Sequence, residues 1–289
     1  QFENGHVFSV NTHRNGLIVT HQSGQPRFDK YLELPDVHRV SVRDIAVSPD
    51  GRVAAIAGAT DWKGRNSSDL AMLDMDGNMA GTIPTYPFVS DEIGFTGDGS
   101  LWAMGREIEP GERMIGNQRI GQEKPVHDIL RQYDRDGKFV RSLLPRLSVS
   151  TDRRHPAYDA SLGTSKNYVA ILSNLSGYWA LVSTDGLIVS SGHLEVHEKR
   201  KFMNIIPTDS GELYVTGMLR GPLATTHREK HGTNVALYRL DRDTGQLEAV
   251  DLGANSGLIA LGSDGENLVF RDRFSETGFN LAWGLTSSF

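Results

Sequence analysis

Short runs of alternating apolar and polar residues cover almost the whole chain. No stretch of a dozen residues keeps an apolar face at helical period, which predicts an all-β protein. The runs recur in a fixed order. Asp44-Ile45-Ala46-Val47 leads through the turn Ser48-Pro49-Asp50-Gly51 into Val53-Ala54-Ala55-Ile56. Glu92-Ile93-Gly94-Phe95 leads through Thr96-Gly97-Asp98-Gly99 into Leu101-Trp102-Ala103-Met104. Three further copies span Asp159 to Leu172, Asn204 to Val215 and Leu258 to Phe270, turning at Thr164-Ser165-Lys166, Asp209-Ser210-Gly211 and Ser263-Asp264-Gly265. Aligned on their turns, Asp44, Glu92, Asp159, Asn204 and Leu258 share one column, separated by 48, 67, 45 and 54 residues.

A second kind of hairpin lies between these, turning at Asp74-Met75-Asp76-Gly77, Asp134-Arg135-Asp136-Gly137, Asp185-Gly186 and Asp241-Arg242-Asp243-Thr244-Gly245. Two consecutive hairpins make a four-stranded antiparallel unit, and repetition of such a unit every 45 to 50 residues or so predicts the blades of a β-propeller. His6 to Gln22, with a turn at Arg14-Asn15-Gly16, supplies another hairpin. Six blades are expected, with five as the alternative. N-terminal strands between His6 and Leu34 are expected to close the terminal blade by pairing with Leu258 to Trp283. A closed ring has no linker, so residues 1–289 read as a single domain.

The turns Ser48-Pro49-Asp50-Gly51, Gly97-Asp98-Gly99 and Ser263-Asp264-Gly265, each between two apolar strands, resemble those of six-bladed propellers of the TolB-like, NHL-like and lactonase-like kind. The resemblance covers most of the chain and implies the fold; function does not follow from it. Lactonase-like propellers hold a divalent cation at the channel mouth with carboxylates and asparagine amides. The column Asp44, Glu92, Asp159 and Asn204 is similar in composition, which implies a calcium or magnesium site. The competing expectation is that these side chains bond neighbouring backbone amides.

Charge and composition narrow the function classes. Thirty Lys and Arg against 36 Asp and Glu leave a net charge of -6, which argues against nucleic acid as partner. The absence of cysteine excludes disulfides and thiolate chemistry. Apolar runs such as Tyr168 to Leu172 are far shorter than the roughly 20 residues of a membrane span. The chain opens on Gln1 with no basic-then-apolar leader, from which a processed, extracytoplasmic protein, periplasmic or secreted, is expected.

No P-loop, G-x-G-x-x-G, H-E-x-x-H or G-x-S-x-G motif occurs, so no reaction is assigned. Long connections predict the functional face: residues 58–68, 105–127, 217–233 and 271–278 all fall at one end of the blades, opposite the tight Asp/Gly turns. Ligand contacts expected there are Asp61, Trp62, Arg65 and Arg106, together with Arg153, Arg154, His155 and Arg200 from basic clusters in two blade links. Trp62 is suited to stack on a sugar or peptide, although aromatics more often pack than bind and it is expected to anchor its own loop. His227 and His231 have the i, i+4 spacing of a chelating pair on a helical turn, but the flanking Gly221-Pro222 and Gly232 predict a solvated loop. His193 and His197 share that spacing across a strand end. The Asp-x-Asp-Gly turns invite a calcium reading, although hairpins demand the same residues. The function read from this pattern is a monomeric binding propeller that takes a small-molecule, glycan or protein ligand. The alternative is a metal-assisted hydrolase or lactonase, with His127 or His155 as general base, and a third class is a purely structural interaction module.

Overall fold

The computed structural model describes residues 2–3, 6–11, 16–21, 26–32, 34, 37–61, 66–108, 114–115, 118–119, 126–149, 160–195, 200–231, 234–252, 258–271 and 281–285. Within these, 2–31, 37–39, 59–61, 66–67, 114–119, 200, 231, 271 and 281–285 are described by backbone alone. The chain divides into two compact units, Gln1–Ser148 and Val149–Phe289.

In the first unit, β1 (Phe2–Glu3), β2 (His6–Asn11), β3 (Gly16–His21) and β4 (Pro26–Tyr31) form one antiparallel sheet in chain order. The second sheet is β5 (Val37–Val47), β6 (Val53–Asp61), β7 (Asn66–Leu73) and β8 (Met79–Pro84). The third begins with β9 (Phe88–Phe95) and β10 (Leu101–Glu107). After a two-stranded ribbon of β11 (Met114–Ile115) and β12 (Gln118–Arg119), it is completed by β13 (Asp128–Tyr133) and β14 (Phe139–Pro145). A four-residue helix, α1 (Arg146–Val149), follows.

The second unit opens with β15 (Ala160–Thr164), β16 (Tyr168–Ser173), β17 (Tyr178–Ser183) and β18 (Ile188–His193). Its next sheet is β19 (Arg200–Pro207), β20 (Leu213–Leu219), β21 (Val235–Leu240) and β22 (Leu247–Ala249), with the helix α2 (Pro222–His231) between β20 and β21. The last sheet has three described strands, β23 (Ile259–Asp264), β24 (Asn267–Arg271) and β25 (Leu281–Leu285).

The fold is therefore all-β, made of the four-stranded antiparallel sheets of a β-propeller, and the six sheets fit a six-bladed count. The N-terminal strands depart from expectation. Among the described residues β1 to β4 pair with one another and β23 to β25 with one another, so the first sheet supplies its own four strands instead of completing the last.

Each predicted acidic-glycine turn is present, and its geometry explains its sequence. Gly51, Gly99 and Gly211 have φ of 85°, 81° and 83°, a region closed to most side chains. In the second kind of turn, Asp74 Oδ1 accepts the N–H groups of Asp76 and Asn78, and Asp134 Oδ1 those of Asp136 and Lys138. These aspartates close hairpins by bonding their own backbone two and four residues on.

The inner strands are apolar on both faces because neighbouring sheets stack within each unit. In the first unit Ala46, Ala54, Ile56 and Leu70 pack on Phe88, Ile93 and Leu101. In the second, Leu172 and Trp179 pack on Phe202 and Ile205, and Tyr214 and Leu237 on Ala260 and Phe270. Full burial of each large aliphatic or aromatic side chain stabilises by about 1.5–3 kcal/mol. Outer strands lack a second neighbour, and β18 accordingly leaves Ile188 and Val189 exposed.

Candidate functional site

The first of the long connections is shorter than the sequence suggests. β6 runs on to Asp61 and β7 starts at Asn66, so the expected loop 58–68 contracts to residues 62–65. The register pairs Thr60 with Asn66, which shows that the ladder continues through polar residues carrying no apolar alternation. Arg106 likewise belongs to β10 and is 1% exposed. Its NH1 donates to Asp91 Oδ2 at 2.6 Å, and Arg43 NH1 donates to Asp91 Oδ1 at 3.1 Å. Burial pushes the Asp91 carboxyl above its ordinary value, outweighing the two guanidinium groups beside it. The neighbouring Gly105 is dictated by packing, since a Cβ there would lie 2.1 Å from the Val89 carbonyl oxygen.

The polar column divides between the units. Asp44 Oδ2 accepts the Ile93 N–H at 2.9 Å, tying β5 to β9. Burial raises the Asp44 pKa, against the hydrogen bonds from the Ile93 and Ile45 amides that lower it. Glu92 lies beside Ile93 on β9, and Asn204 is half-buried on β19. In the second unit the matching bond comes from Ser161, whose Oγ accepts the Ile205 N–H at 3.1 Å. Thus Ser161, three residues before the end of β15, holds the place that alignment on the turns gave to Asp159; the turn after β15 is one residue shorter than that after β5, as Ser165 N bonds Tyr168 O where Ser48 N bonds Arg52 O. Among the described residues no three His, Asp or Glu side chains are grouped to hold a metal ion. Asp159, Trp62, Arg65, Arg153, Arg154, His155 and His197 lie outside the described residues, and Asp61, Arg200 and His231 are described by backbone alone. His127 is buried, and its carbonyl oxygen accepts the Arg146 N–H at 2.9 Å. The His193 ring meets Tyr178 edge-on at 5.4 Å.

Residues 222–231 form a ten-residue helix where the sequence predicted a solvated loop. Pro222 at its first position fits a helix start, where no amide hydrogen is needed, and Gly221 at φ 63° turns the chain into it. Thr226 Oγ1 donates back to the Pro222 carbonyl at 3.2 Å. The helix carries no apolar stripe, so periodicity alone could not announce it.

Beside this helix lies a cavity of about 270 Å³. The sheet face contributes Thr216, Val235, Leu237 and Tyr238, the following segment Val250, Asp251, Leu252, Leu258 and Ala260, and α2 contributes His227 and Lys230. Thr216 is 1% exposed, and its hydroxyl has no hydrogen-bond partner among the described residues. It stands opposite Asn204 on β19 and Leu237 on β21, so the column residue Asn204 marks the register of this face. Sequence reading missed Thr216 because a threonine in an apolar strand carries no signal of its own; its orphan hydroxyl exists only in the packed structure.

No protein-family model matches the chain, and no curated protein does. Its fold is similar to that of several solved structures. A protein of unknown function from Bacteroides caccae superposes with a TM-score of 0.52 at 10% identity, over 94% of this chain and 84% of the other. A functionally unknown protein from Desulfotomaculum acetoxidans gives 0.50 at 11%, over 97% and 86%. A DUF4221 family member from Bacteroides vulgatus gives 0.50 at 11%, over 96% and 90%. At this identity the likeness concerns the fold alone. Among the described residues no helix is long and apolar enough to cross a membrane.

Proposed function

We propose that this chain is a ligand-binding β-propeller protein that takes up a small molecule in the cavity beside α2. The observation that carries the reading is the composition of that cavity: apolar walls from two adjacent sheets with a few polar groups, His227 and Lys230 from the inserted helix and Asp251 from the segment after β22. Ligand sites are typically apolar concavities with a small number of placed polar groups, and about 270 Å³ lies just below their usual range of about 300–1,000 Å³, room for a small molecule only. The helix occupies one of the long connections, 217–233, in which the sequence placed the functional face.

A fragment panel titrated into isotope-labelled protein tests this. Hits should shift the amide resonances of Thr216, Val235 and Leu237. Ala260→Met, which fills the cavity from its far wall, should abolish those shifts while the protein stays folded. A panel that leaves these resonances unmoved overturns the proposal.

A further inference from the structure

We infer that the ligand of the cavity beside α2 is uncharged and apolar, on the scale of a substituted benzene ring or an indole; this rests on the reading of the cavity as a ligand site. The depth of the cavity carries no charge. Val235, Leu237, Leu252 and Ala260 line it and are buried, with Val250 and Leu258 half-buried beside them. Thr216 belongs to the same wall, but its hydroxyl oxygen is closed to solvent and offers a ligand nothing.

The charges stay at the rim. Of the described side chains of α2 only Ala224 and His227 are half-buried, so Lys230 is left exposed, and Asp251, the lining residue of opposite sign, is exposed as well. His227 and Asp251 already take part in interactions within the fold. A charged group drawn into the depth would give up its water and meet no opposite charge, which is strongly unfavourable. At the rim it would meet Lys230 and Asp251 together, whose fields oppose one another. An uncharged group escapes both costs and gains free energy for each methylene it removes from water. Volume sets the size of the ligand. An apolar cavity of about 150 Å³ admits benzene, so about 270 Å³ admits one ring with a substituent, or two fused rings.

Toluene, benzoate and benzylammonium, which share the ring and differ in charge, form the test, with indole as a larger uncharged probe. Chemical-shift titration of the full chain, followed at the amides of Val235, Leu237 and Ala260, should show toluene and indole binding at least about tenfold more tightly than either ion. Lys230→Met and Asp251→Asn, both at exposed positions, should each leave toluene within about twofold of the parent. If benzoate or benzylammonium binds as tightly as toluene, or if either variant weakens toluene about tenfold, the inference fails while the cavity remains a ligand site. If none of the four compounds perturbs these resonances the inference fails, and if the fragment panel is silent as well, the ligand site fails with it.

Discussion

The carboxylate of Asp44 accepts the backbone N–H of Ile93 at 2.9 Å, so a side chain on the inner strand of one sheet closes a hydrogen bond that the inner strand of the next would otherwise leave open. Ser161 and Ile205 repeat the arrangement in the second unit at 3.1 Å. An amide at this position cannot pair within its own ladder, and the neighbouring blade supplies the acceptor. The same position is filled by a charged and by a neutral side chain, which shows that the bond, and not the charge, is what the fold uses.

Asp44→Ala leaves the Ile93 amide without this acceptor and should cost about 1–3 kcal/mol. Asp44→Asn keeps an oxygen and removes the charge. Folding raises the Asp44 pKa above its unfolded value of 3.8, so its contribution is fully present below that pH and is lost as pH rises through the folded value. Urea unfolding should therefore show Asp44→Asn gaining on the parent as pH rises above 3.8. The reverse trend would contradict the assignment.

Asp50 behaves oppositely. Burial pushes its pKa up, but the Ser48 hydroxyl and the Arg52 and Arg135 guanidinium groups together bring it down to about 2. Arg135 NH2 lies 2.6 Å from Asp50 Oδ2, and Arg52 also donates to the Gly99 carbonyl at 3.1 Å, linking three turns of the first unit. The stability from this lowered carboxyl is present above pH 3.8 and lost as pH falls through about 2. Solvent screening limits Asp50→Asn to a loss of about 1 kcal/mol at neutral pH, read from denaturant midpoints, and the difference should vanish in strong acid.

Close packing of inner strands makes Gly163 hard to replace. A Cβ there would stand 2.0 Å from the Ile205 carbonyl oxygen and 2.8 Å from Pro207 Cδ. Gly163→Ala should destabilise by about 1–3 kcal/mol. At Gly262 nothing lies within 4 Å of the added carbon, and Gly262→Ala should stay within about 0.5 kcal/mol of the parent. Thermal or urea unfolding of the pair separates steric packing from the general effect of removing a glycine.

Thr216→Val tests the cost of the buried Thr216 hydroxyl. Removing an unpaired buried hydroxyl from an otherwise apolar wall should raise Tm by about 2–4 °C. A variant that is less stable than the parent would mean that the hydroxyl is satisfied within the fold.

Local pattern determined the strands and turns of this protein. Alternation fixes which residues face a neighbouring sheet, and a φ near 80° admits glycine, so the hairpins at Ser48 to Gly51 and Asp134 to Gly137 were legible before any contact was known. The extent of β6 and β7 was not legible, because Gly58 to Asp61 and Asn66 to Ser68 pair through backbone groups that every residue has. Neither was α2, whose ten residues carry no apolar stripe and whose helix is known only from the folded chain. Tertiary structure also decided the roles of the polar residues. Arg106 reads as a loop cation in the sequence and becomes a buried partner of Asp91; Asp44 reads either as a cation ligand or as an acceptor of a neighbouring amide, and folding gives it the Ile93 N–H; Thr216 carries no local signal and is buried with a hydroxyl that has no partner among the described residues. Backbone conformation depends on neighbours in sequence, whereas the partner of a polar group depends on what folding brings beside it, here from positions 15 and 49 residues away.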